Sequence, residues 1–340
     1  MKILVLGGSI FIGRHIVETA LARGHEVSIF NRGSQEDIFG NQIEKLVGDR
    51  RKDLSALQSK HWDIVIDTSG YVPSAVSSTA QLFAGKIESY IYISSLSVYG
   101  QVTTAVNETT PVNVIDDAHL DKAESLNSGD ESPTAMTYGE YYGPLKARCE
   151  QVVNSVFIDN SVILRPGLVV GSHDYTNRLS YWVDRMMRGG VFLAPNNAQT
   201  PIRFILARDL AEWTIQCVES NRTGIYNLPG PAGLTFGELF QTIQKHLKND
   251  ATPFWVKESQ LLKAEVKPWT DLPLWLPEAL QGILKIGDQK AVESGIQYSS
   301  FARIMDDVIN WVHNDTKNYK IKVGLSAERE SSLLKQFQGQ

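Results

Sequence analysis

Tyr142 and Lys146 close the run Tyr138-Gly139-Glu140-Tyr141-Tyr142-Gly143-Pro144-Leu145-Lys146, and four residues on a helix place a phenol and an ammonium on one face. The positive charge stabilises the phenolate and lowers a pKa that starts near ~10, giving a base that works close to neutral pH. Three units of such a shift amount to about 4 kcal/mol of differential interaction, which calls for a second cation, such as an oxidised nicotinamide, beside the pair in a partly dry cleft. The pair therefore predicts a dinucleotide, and a dinucleotide needs a phosphate site.

Gly7-Gly8-Ser9-Ile10-Phe11-Ile12-Gly13 follows an apolar strand and opens a helix, the setting in which a pyrophosphate rests on a helix N-terminus. Gly7 allows the tight turn and Gly13 lets the helix lie close to the strand. At the end of the second strand a carboxylate would accept from an adenosine ribose 2′-hydroxyl. The chain instead has Asn31-Arg32-Gly33-Ser34, and a cation there suits a 2′-phosphate. NADP is the expected cofactor, with NAD the second candidate.

Further stretches extend the pattern: Gly48-Asp49-Arg50 after the third strand, Ser94-Ser95-Leu96-Ser97-Val98-Tyr99-Gly100 ending the fifth, Leu164-Arg165-Pro166-Gly167, and Arg208-Asp209-Leu210-Ala211. With Tyr142 to Lys146 they make a chain that resembles the extended short-chain dehydrogenase/reductases, in the NAD-dependent epimerase/dehydratase group. The resemblance implies a Rossmann-type fold with Asp49 near the adenine, and a cofactor lined by Gly7, Gly8, Phe11, Ile12, Gly13, Asn31, Arg32, Arg50, Ser69, Gly70 and Pro166. It implies Ser95 hydrogen-bonding the reacting oxygen, Tyr142 as acid/base, and Lys146 holding the nicotinamide ribose while tuning Tyr142. This agrees with the residue types, because hydride transfer needs a proton moved at the same oxygen, and a hydroxyl donor plus a tuned phenol provide both.

Three departures bear on substrate. Ile10 replaces the family's middle glycine, as in an atypical branch that includes chloroplast stem-loop-binding proteins, some of which act on RNA. Dehydratases of the family place Asp-Glu directly after the catalytic hydroxyl residue, whereas this chain has Leu96-Ser97, so dehydration loses its acid and base. Members that grip a nucleotide diphosphate carry an arginine where Ile202 stands. Arg203 is one residue away, and a one-residue shift on a strand reverses the side-chain face. The expected activity is an NAD(P)-dependent oxidoreductase or epimerase acting on a secondary alcohol or carbonyl of a small polar, sugar-like molecule. The reading from another class is a nucleotide-binding regulatory or RNA-interacting protein on the same scaffold.

Apolar runs alternate with amphipathic stretches through the first 165 residues, predicting an α/β, doubly wound parallel sheet with both faces covered and a smaller C-terminal substrate-binding cap. The expected division is 1–170 plus 202–228 for the dinucleotide domain, 171–201 plus 229–325 for the cap, and 326–340 for a tail. Residues 103–137 break the pattern, are acidic and connect a strand end to the Tyr142 helix, so they are expected to form a mobile lid. The 340 residues carry a formal net charge of -5, which argues against nucleic acid or an anionic membrane as partner. Two cysteines and seven histidines without ligand spacing predict no metal and a reducing compartment. No apolar run approaches the ~20 residues of a membrane span, so a soluble, cytoplasmic protein is expected. The resemblance suggests a homodimer through the Tyr142 helix.

Overall fold

The computed structural model describes residues 1–126, 133–314, 321 and 323–339, and divides into two compact units. The first comprises Met1–Gly167, Ala207–Pro229 and Ile286–Gln297. Its sheet has seven parallel strands in the order Gly224–Leu228, Ser161–Pro166, Ser89–Ile93, Ile64–Asp67, Lys2–Leu6, Glu26–Asn31, Glu44–Val47. Strands that read as continuous apolar runs are buried on both faces here. Leu4, Leu6, Val65, Tyr90, Tyr92 and Ile163 join one cluster with Val76, Phe83 and Val153 from the helices Pro73–Phe83 and Tyr142–Val156. Two more helices, Phe11–Ala22 and Ala207–Glu219, pack against each other.

Chain direction across the sheet reverses between Lys2–Leu6 and Ile64–Asp67, so the loops leaving these two strands flank the crevice where ligands bind in doubly wound folds. After the third strand the chain forms a single helical turn, Ser55–Gln58. Gly139 takes a φ of 51° and separates Ala135–Tyr138 from the helix that begins at Tyr142. Residues 286–297, read as part of the cap, belong to the first unit, where Lys290 donates to the Ile225 carbonyl.

The described part of the acidic segment makes contacts with the body of the first unit. The Asn113 amide donates to the Val98 carbonyl at 2.7 Å, the Asn227 amide to Glu108 at 2.9 Å and the Ser74 amide to Glu124 at 3.0 Å. Ala123, in the helix Asp117–Ser125, is buried with Val72, Ala75, Tyr138 and Leu145. Residues 127–132 of the proposed lid lie outside the described residues.

The second unit comprises Leu168–Leu206, Gly230–Lys285 and Tyr298–Gln340. It holds two small parallel pairs, Val191–Pro195 with Thr252–Val256 and Val169–Val170 with Ile205–Leu206. An aromatic core surrounds Trp182, whose ring lies 5.0 Å from Phe240 and 5.5 Å from Phe236. The last segment is a docked helix and not a loose tail. Ala327–Gln338 buries Leu333 and Phe337, and Glu330 forms a buried ion pair with Arg185 while accepting from the Leu193 amide.

Candidate active site

The phosphate loop is built by close approach. A Cβ at Gly13 would stand 2.7 Å from the Gly8 nitrogen, and one at Gly7 would stand 2.4 Å from Thr68 Oγ1, so this turn accepts only hydrogen at both positions. Asn31 braces it from the neighbouring strand, donating to Ser9 Oγ at 2.7 Å and to the Gly7 carbonyl at 3.3 Å, while its Oδ1 accepts from the Gly33 amide. Phe11 is buried with a φ of 39°, and Ile12 is half-buried beside it. Ile10, in the middle-glycine position, keeps extended backbone and turns its side chain outward, so the glycine is replaced without filling the turn.

Arg32 is half-buried at the carboxyl end of Glu26–Asn31. Asp49 caps its own turn, accepting from the Arg51 amide at 3.0 Å. Arg50 does not reach outward as a cofactor ligand would. Its donors are directed within the protein, to both oxygens of Asp67 at 2.7 Å, to Thr79, to the Ala75 carbonyl and to Ser69 Oγ. The physical reason is Asp67 itself, a fully buried carboxylate that requires a counter-ion.

Lys146 is also buried. Its ammonium donates to the Gly70 carbonyl at 2.9 Å and the Ile93 carbonyl at 2.6 Å, and lies 4.2 Å from the centre of the Tyr92 ring. Burial lowers its pKa to about 8, against the opposing charges of Asp67 and Glu150. Two of its three protons are committed, which leaves one donor for a ligand or for Tyr142. Tyr142, one turn earlier on the same helix, is half-buried with its ring centre 6.4 Å from that of Tyr71. Ser95 follows the strand Ser89–Ile93, half-buried, and its Oγ accepts from the Ser97 amide. Pro166 ends the adjacent strand and is buried.

Gly143 brings the last two elements together. A Cβ there would stand 2.2 Å from the Ser97 carbonyl oxygen, so only glycine lets the Tyr142 helix press against the turn that carries Ser95. Behind Ser95, the Ser94 hydroxyl donates to Glu150, which Arg165 holds through two bonds of 2.9 and 2.6 Å, and Arg165 donates to Tyr99. Sequence reasoning gave no role to Gly143, Asp67 or Glu150. A glycine directly after the candidate base, inside an otherwise strong helix, was the available signal.

In the second unit, Arg203 donates to the carbonyls of Gly230 and Leu284, and Ile202 is buried in the core. No cluster of His, Cys, Asp and Glu able to hold a metal is found among the described residues, and no described helix is long and apolar enough to cross a membrane.

These elements define a Rossmann-type α/β protein with a glycine-rich turn between its first strand and first helix. The sequence model of the NAD dependent epimerase/dehydratase family matches residues 3–228, and the chain belongs to that family. It is 25% identical to the chloroplast stem-loop binding protein of 41 kDa b of Arabidopsis thaliana, over 72% of this chain and 62% of that one, so it spans less than two thirds of that relative. It is 24% identical to eugenol synthase 2 of Clarkia breweri, over 77% of this chain and 80% of that enzyme. Among solved structures, the UDP-glucose 4-epimerase of Thermus thermophilus in complex with NAD superposes with a TM-score of 0.63 at 17% identity, covering 93% of this chain and 100% of the other.

Gly143→Ala is expected to lower stability by about 1 to 3 kcal/mol, since the methyl group meets backbone and not a side chain that can turn away. Urea unfolding of the variant reads this, and a midpoint equal to that of the parent would contradict the close approach.

Proposed function

We propose that the protein is an NAD(P)-dependent oxidoreductase or epimerase that acts on a secondary alcohol or carbonyl of a small polar, sugar-like molecule. The observation that carries the reading is the buried Lys146 ammonium at the carboxyl ends of two strands, one turn from Tyr142. Burying an ammonium is costly, and an unused one would be replaced by an apolar side chain.

The residues fit a dinucleotide. The turn that only hydrogen fits at Gly7 and Gly13 leaves backbone amides at a helix N-terminus for the pyrophosphate, and Asn31 holds that loop in place. When bound, the nicotinamide ring accepts or donates the hydride. Ser95 then orients the substrate oxygen, Tyr142 takes its proton or returns it, and the remaining Lys146 donor binds the ribose while its charge favours the phenolate. Arg32 favours NADP over NAD, because a 2′-phosphate beside it gains a charge-assisted contact.

Leu96-Ser97 after Ser95 favours net reduction or epimerisation over dehydration. Arg203, bound to two carbonyls, disfavours a gripped nucleotide diphosphate.

Tyr142→Phe removes the acid/base oxygen and nearly keeps ring volume, so turnover should fall by ~10²- to 10⁴-fold with little change in cofactor affinity. Full activity of this variant on an identified substrate would overturn the assignment. Fluorescence titration should show NADPH binding more tightly than NADH, with Arg32→Ala erasing roughly 1.5 to 3 kcal/mol of the difference. Equal affinities in the parent would make NAD the cofactor. Retention of RNA at moderate salt, with neither dinucleotide bound, would favour the scaffold reading instead.

A further inference from the structure

Asp67 ends the strand Ile64–Asp67 fully buried, yet it touches neither the phosphate loop nor Tyr142 in any described contact. Its carboxylate accepts two hydrogen bonds from Arg50, one from Tyr90 OH at 2.9 Å and one from the Ser69 amide at 3.1 Å. The Ser69 contact pins the first residues beyond the strand. Gly70 then lies so close that a Cβ would stand 2.9 Å from Asp67 Oδ2 and 2.7 Å from the Tyr92 ring. The Gly70 carbonyl, fixed in this way, accepts both from Tyr92 OH at 2.7 Å and from the Lys146 ammonium. A continuous chain of bonds therefore runs from Arg50 through Asp67 and residues 69–70 to Lys146.

We propose that Asp67, clamped by Arg50, is the positioning residue that sets both the place and the charge of Lys146. It acts through the Gly70 carbonyl and through its own negative charge. The catalytic meaning of this coupling rests on the function proposed above, but the coupling itself belongs to the protein without ligand.

Three observations make the arrangement more than core packing. A buried ion pair is costly and is commonly replaceable by apolar groups, so keeping one needs a reason. Both carboxylate oxygens and the guanidinium of the pair are hydrogen-bonded, which fixes a single geometry. Among the described residues, the second buried cation acting on Asp67 is Lys146. The groups facing that ammonium are Cys149 and Glu150 on its own helix, Asp67 and Tyr92 on two strands, Tyr71 and Tyr142 beside it, and Arg50 behind Asp67. Burial holds the Cys149 thiol at about 12, so it carries no charge at neutral pH, and the two carboxylates that favour the protonated ammonium are Asp67, paired with Arg50, and Glu150, paired with Arg165. Of these two, Asp67 also fixes the 69–70 segment whose carbonyl holds the ammonium.

The test uses the ligand-free protein with 13C-labelled lysine, in which the Lys146 Cε signal is identified by its loss in Lys146→Met. The parent should titrate near pH 8. Asp67→Asn, isosteric and uncharged, should titrate lower by about one unit. Tyr90→Phe, which removes one bond to Asp67 and leaves its charge, should titrate with the parent. An unchanged midpoint in Asp67→Asn overturns the proposal and leaves the catalytic reading standing, because no turnover is measured. Should Asp67→Asn not fold, Lys146→Met reads the same coupling from the other side. The Asp67 carboxyl is held below its ordinary value in the fold, so its stabilisation is present above that value and is lost as pH falls through the folded pKa. Without Lys146 the folded value rises, and acid loss of stability should begin at higher pH than in the parent. Superimposable acid profiles would overturn the proposal.

Discussion

A buried ammonium held by two backbone carbonyls is the interaction on which the first unit turns. Lys146 can be buried only because the Gly70 and Ile93 carbonyls point at it from the carboxyl ends of neighbouring parallel strands. Those strand ends are available because the sheet is parallel and its helices return along both faces. The same parallel arrangement aligns the phosphate loop, the 68–70 segment and Ser95 on one edge of the sheet. Residues distant in sequence thus meet through topology alone, with no loop of unusual shape required.

The cost of that ammonium explains features that otherwise look like unrelated oddities. Burial drives its pKa down toward neutrality, and the carboxylates of Asp67 and Glu150 oppose that shift. Asp67 in turn demands Arg50, which is why an arginine that sequence reasoning assigned to the cofactor is found turned into the protein. Gly70 and Gly143 are glycines for a steric reason: one fits between Asp67 and Tyr92, and the other sits against the Ser97 carbonyl. Membership of the NAD dependent epimerase/dehydratase family accords with this construction.

Periodicity made the fold legible. Continuous apolar strands between amphipathic helices define a doubly wound sheet, whereas the strand order, which reverses beside Lys2–Leu6, came from the structure. Motif chemistry singled out Gly7, Gly13, Ser95, Tyr142 and Lys146, since each has a residue type suited to the task proposed for it. Asp67 was not legible, because its role depends on Arg50 and Tyr90, which come from two other places in the chain. The contacts of the 103–137 segment were not legible for a similar reason. Its acidic composition suggested solvent, but Glu108 and Glu124 are used as acceptors for the backbone amides of Asn227 and Ser74. The helix Ala327–Gln338 was missed because Glu330 reads as a surface residue until Arg185 is brought to it.

The central claim is that Lys146 and the glycine-rich loop hold opposite ends of one dinucleotide. A crystal structure of the protein grown with NADP⁺ tests this most directly. The account predicts the pyrophosphate on the amides following Gly8, the 2′-phosphate beside Arg32, and the nicotinamide ribose bonded to Lys146 with the ring between Ser95 and Tyr142. A dinucleotide bound with its nicotinamide away from Tyr142, or a Lys146 still shielded from it by the protein, would contradict the account.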